Sequence, residues 1–118
     1  MHAYEIPNLR FSLPAAGRVR RYRFVSVSNE GAVQADATTQ VIGASMNEVG
    51  KDEESEGRIV EIADGIVMVE ASGAITSGAA VYADNSGMAT ATKGTGNVAG
   101  VAITAATAAG DLIAVKMF

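Results

Sequence analysis

Short runs of alternating apolar residues, each ended by a glycine-bearing turn, recur at roughly ten-residue spacing from Tyr22 onward. This punctuation constrains the fold more than any other feature, because it leaves no room for a long helix. Tyr22, Phe24 and Ser26 alternate with Arg23, Val25 and Val27, and a turn follows at Asn29, Glu30 and Gly31. Further strands are predicted at 32–35, at VIGAS (41–45), at RIVEI (58–62) and at IVMVEA (66–71), the last two joined by a hairpin-type turn at Ala63, Asp64 and Gly65. Segments 80–83, 88–92, 98–103 and 111–118 complete the series, with a turn at Asp84, Asn85, Ser86 and Gly87. The large core formers are mainly Val and Ile, whose branched side chains suit a pleated surface better than a helix. The alanine-rich stretch 105–109 is too short to form an isolated helix. The prediction is all-β: a small barrel-like or sandwich domain of short strands with an extended N-terminal arm.

That arm is residues 1–17, MHAYEIPNLRFSLPAAG, with two prolines and no sustained period. Its frequent apolar residues require it to lie on something, either its own domain or a neighbour. Residues 18–118 read as a single β domain, with an acidic loop at 48–57 as its most polar connection. A length of 118 residues is enough for one domain with an apolar core.

Charge is unevenly placed. Up to Arg23 there are five arginines against one acid, Glu5; the remainder carries twelve acids against Lys51, Arg58, Lys93 and Lys116. The acidic body, in a chain of net charge −4, disfavours attraction to nucleic acid, and no partner of that kind is expected. A basic leading segment suits an acidic protein surface. The candidate contact residues are therefore Tyr4, Ile6, Leu9, Arg10, Phe11, Leu13, Arg18, Arg20 and Arg21. No basic start followed by an apolar run is present, and no segment approaches membrane-spanning length, so neither a signal peptide nor a membrane partner is expected.

Catalytic chemistry has no foothold. The single histidine, His2, has neither a nucleophile nor an orienting group in prospect. Glu48, Asp52, Glu53, Glu54 and Glu56 lack calcium-loop spacing and read as a solvated run, so no metal is expected. Glu61 and Glu70 face each other across the predicted turn at 63–65, but a chain with three Tyr, three Phe and no Trp offers no sugar platform. Gly94 and Gly96 in TKGTGN lack the Lys-Ser/Thr pair of a phosphate-binding loop and suit turns. Cysteine is absent, which removes disulfides and thiolate metal sites. No enzyme activity and no cofactor are expected.

An internal echo runs through the domain. GAVQADATTQVIGAS (31–45) resembles GMATATKGTGNVAGVA (87–102), and each is followed by a glycine and an alternating strand, RIVEI or DLIAVKM. Two copies of one strand–turn–strand unit can close a sheet around a core; recurrence of small β patterns by chance reads the same way.

The order of Ile42-Gly43, the strand ending Val69-Glu70-Ala71, the ITSGAAVY step with Gly78 and Val81, Ala99-Gly100-Val101-Ala102, and Ala109-Gly110-Asp111 before the last strand resembles the head decoration, or capsid cement, proteins of tailed bacteriophages. The resemblance spans about four fifths of the chain, while the acidic loop is not part of it. It implies a barrel-like β domain, a homotrimer, and attachment to the outside of a phage capsid through the major capsid protein. It also implies a division of Ile66, Met68, Val81, Ile103, Ile113 and Val115 between core and three-fold contact. A surface-displayed glycan- or host-binding β module is the alternative.

Overall fold

The computed structural model describes residues 3–50 and 58–118. Among them are nine strands and no helix: β1 (Ile6–Pro14), β2 (Phe24–Ser28), β3 (Gly31–Gln34), β4 (Gly43–Ser45), β5 (Ile59–Glu70), β6 (Ala80–Ala83), β7 (Ala89–Thr90), β8 (Gly100–Ala102) and β9 (Leu112–Met117). Neighbours run antiparallel in the order β3-β2-β4-β5-β9-β8-β6-β7, and β1 pairs with β5. The fold is all-β and curls on itself. Acidic residues Asp52, Glu53, Glu54 and Glu56 lie outside the described residues.

That order reads the same from both ends, because the chain folds one motif twice. In the first lobe β2 lies between β3 and β4, β4 pairs with β5, and a parallel bridge from Ala15 to Ala32 returns β3 to the end of β1. In the second lobe β6 lies between β7 and β8, β8 pairs with β9, and a parallel bridge from Ala71 to Ala89 returns β7 to the end of β5. The bridge between Val19 and Val49 recurs as Ile75 with Ala106. The two echoing stretches fall on these equivalent strands. The lobes differ in the connection from Val49 to Arg58, which is longer than its counterpart from Ala106 to Asp111.

β5 serves both lobes. Its first half pairs with β1, its second half with β9, and Ile66 has both Ile6 and Lys116 as partners, so the two strands flank it. Because side chains alternate across a strand, one face of β5 supplies Val60 and Ile62 to one core while the other supplies Val67 and Val69 to a second. The first core holds Val19, Val25, Ala32, Val49, Val60 and Ile62. Their counterparts Ile75, Val81, Ala89, Ala106, Ile113 and Val115 all lie in the second, which also takes in Phe24, Ala44, Ala63 and Met117. Each fully buried Val or Ile contributes about 1.5–3 kcal/mol by leaving water. Val81, Ile113 and Val115 are core residues, whereas Ile66, Met68 and Ile103 are half-buried.

Two expectations are corrected here. Ala63, Asp64 and Gly65 form no turn; β5 runs through them without a break. Gly65 has φ +115° and faces the irregularity between Pro7 and Leu9 in β1, where an added Cβ would sit 2.5 Å from the Asn8 nitrogen. Its glycine answers a bulge in the partner strand. Glu61 and Glu70 consequently do not face each other. They stand at separate places along one strand, engaged with Ser12 and Arg23 respectively.

Candidate functional site

The arm residues 6–14 form β1, held against β5 from Ile6–Ile66 to Pro14–Ile59. Phe11 and Leu13 turn toward the first core and pack on it, as does Ala15. Ser12 Oγ donates to Glu61 Oε2 at 2.8 Å on the outer face. Leu9 stands two residues before Phe11, on the same side by alternation, but beyond the end of the core, and is 57 % exposed. Ile6 is 60 % exposed, and Tyr4 and Arg10 are exposed as well. Three large apolar side chains, Tyr4, Ile6 and Leu9, thus face water at or just before the start of β1.

Ile6 also lines a shallow groove of ≈ 340 Å³ with Asp64, Ile66, Lys116 and Phe118. Phe118 is 72 % exposed and was not singled out from sequence. No local signal marks it, since its nearness to Ile6 arises from both strands meeting at the middle of β5.

The remaining candidates occupy the bend between β1 and β2. Arg18, Arg20 and Arg21 are exposed around the buried Val19. Their backbone is held from three sides. The Arg20 N–H donates to Gln34 Oε1 and the Arg21 N–H to Glu48 Oε1, each at 3.0 Å, and the Ser45 hydroxyl donates to the Arg20 carbonyl. The Arg21 guanidinium lies over the Tyr22 ring, 4.6 Å from its centroid.

Arg23 belongs to a different class. It is 7 % exposed, and its Nη1 donates to the Ser86 carbonyl while Nη2 pairs with Glu70. The arginine tract thus divides into three solvent-facing cations and one internal tie.

No described cluster of three or more His, Cys, Asp or Glu is placed to hold a metal ion. Asp36 and Asp111 have their pKa values lowered, by hydrogen bonds from Thr38 and Thr107 respectively. Both carboxylates close turns; a general acid at neutral pH would need the opposite displacement.

The arrangement is one of exposed apolar side chains and charge. A solved structure of similar fold is the N base of the head fiber gp8.5 of bacteriophage phi29, 19% identical, covering 93% of each chain with a TM-score of 0.71. No curated protein sequence matches the chain. The family model described as phage cement protein matches residues 7–117, both lobes included. The chain therefore belongs to the phage cement protein family, and is a structural, virion-associated protein of a bacteriophage rather than an enzyme.

Proposed function

We propose that the protein decorates the outer surface of the phage capsid and stabilises it by bridging neighbouring major capsid protein subunits, as a homotrimer. The observation that carries this reading, beside the family match, is the line of exposed apolar side chains at the start of β1. Tyr4, just before that strand, and Ile6, Leu9 and Arg10 on it supply shell contact, and Arg18, Arg20 and Arg21 supply it from the following bend. Phe11 and Leu13 hold the strand in place. Cementing depends on area repeated over many copies, so modest contacts multiply into strong retention.

The test is co-sedimentation of the purified protein with heads lacking it, before and after shell expansion. Removing residues 1–17 is a poor comparison, because it strips β1 from the first lobe. Ile6→Asp with Leu9→Asp leaves the core untouched. Saturable binding to expanded heads that the double substitution weakens supports the reading; no binding by the folded parent protein overturns it. Sedimentation equilibrium tests the trimer, and a monomer at micromolar concentration sinks that part.

A further inference from the structure

Tyr22 is the one described residue other than glycine with a positive φ, +62°. Its place in the second lobe is held by Gly78, at φ +87°. Their N–H groups make the same backbone bond, while the Tyr22 carbonyl also accepts from the Glu70 N–H at 2.9 Å. The Tyr22 N–H donates to the Ser45 carbonyl at 3.1 Å, and the Gly78 N–H to the Ala102 carbonyl, the equivalent of Ser45, at 2.7 Å. A Cβ added to Gly78 meets nothing within 4 Å. The second lobe therefore has space for a side chain at this position and still carries glycine.

The turn asks only for left-handed backbone, which glycine adopts freely and an aromatic residue adopts under strain. A strained residue kept where glycine suffices is held there for its side chain. The Tyr22 ring belongs to neither core and carries the Arg21 guanidinium on its face. The duplication supplies a second contrast. Arg18, Arg20 and Arg21 correspond to Ala74, Thr76 and Ser77, so one copy of the turn is cationic and aromatic and the other is neutral and small.

We propose that the Arg20-Arg21-Tyr22 turn is a recognition surface specific to the first lobe, taking a carboxylate-bearing protein patch on the capsid shell. The proposal rests on the decoration reading. Arginine and tyrosine concentrate binding energy at protein contacts, and a turn whose backbone is held from three sides presents them in a fixed place. A protein patch fits better than a nucleic acid, because the acidic remainder of the chain repels a polyphosphate.

The experiment compares the full chain with Tyr22→Gly and Arg21→Glu for binding to expanded heads lacking the protein, with thermal melting alongside. The expected result is at least about tenfold weaker binding for each, with the melting temperature of Tyr22→Gly unchanged or higher. Parent-level binding by either variant overturns the proposal while leaving decoration intact. Failure of the parent to bind removes decoration itself. Should Tyr22→Gly melt lower than the parent, Tyr22 is structural after all and the proposal falls with it. Binding of the parent to phage DNA instead of shells, lost in Arg21→Glu, replaces the protein partner with nucleic acid.

Discussion

The Arg23 guanidinium donates from Nη2 to Glu70 Oε1 at 3.0 Å, tying the residue that leads into β2 to the far end of the strand both lobes share. Its Nη1 reaches the Ser86 carbonyl beside β7, so one side chain grips two parts of the second lobe. The pair is unequal. The arginine side chain is 9% exposed and the glutamate 27%, and Arg23 Nε is buried with no partner among the described residues.

Glu70→Ala leaves that cation buried with only a carbonyl for company. The expected loss is about 2–3 kcal/mol of unfolding free energy, somewhat below the range for fully buried pairs because solvent reaches Glu70. Glu61→Ala, on the same strand but exposed, should cost under about 1 kcal/mol. Urea denaturation of the two variants checks the ordering, and equal losses would show that Arg23 is solvated.

Gly43 and Gly100 occupy matching places in β4 and β8 and meet the strand alongside at matching points. A Cβ on Gly43 would lie 2.6 Å from the Ala63 carbonyl oxygen, and one on Gly100 would press on the Lys116 carbonyl more closely still. Ala63 and Lys116 are themselves equivalent. Gly43→Ala and Gly100→Ala should each cost about 2–3 kcal/mol, since backbone and not a flexible side chain must give way. Gly78→Ala, in open space, should cost only the conformational penalty of about 1–2 kcal/mol. Thermal melting of the three variants tests the ranking.

Leu9 and Phe11 are two residues apart on one face of β1, yet only Phe11 packs on the core. Phe11→Ala should cost about 2–3 kcal/mol, below the full range for aromatic truncation because the ring is half-buried. Leu9→Asp should cost no more than about 1 kcal/mol, from repulsion by Asp64 opposite it on β5. Denaturation midpoints measure the contrast. A large loss for Leu9→Asp would show that Leu9 is a packing residue.

Asp36 and Asp111 both have pKa values lowered from the ordinary 3.8. Their folded forms hold protons less tightly than the unfolded chain, so the stability they contribute is fully present above the ordinary carboxylate range. It is lost as the pH falls through the lowered folded values. Unfolding free energy should be flat in these terms near neutrality and decline in acid below about pH 4. Asp36→Asn and Asp111→Asn should each flatten that decline, as chemical denaturation between pH 2 and 6 will show.

Much of this fold is local. The strands at 24–28, 31–34, 43–45, 80–83 and 112–117 follow from alternation and branched side chains, and the turns between them from glycine and aspartate. The duplication is legible for the same reason: Gly43 with Gly100, and the small residues around them, answer one steric demand made twice. The arm was legible as apolar and exposed in part, but alternation alone does not say where the core beneath it ends, and so does not separate Leu9 from Phe11.

Other features depend on partners distant in the chain. Gly65 has the composition of a turn and lies inside a twelve-residue strand, because what it accommodates is a bulge in β1. Arg23 has the setting of a solvated arginine, and its burial comes from Glu70 and Ser86, supplied by the other lobe. Tyr22 carries no sequence mark of strain, and its left-handed backbone becomes informative only beside Gly78. Sequence by itself determined the all-β class, most of the short strands after the arm and an echo between two stretches, since these follow from short-range sterics and side-chain periodicity. Tertiary structure alone decided which face of β5 serves which core and which arginine is internal, because those outcomes depend on contacts between segments that meet only when both lobes close on one strand.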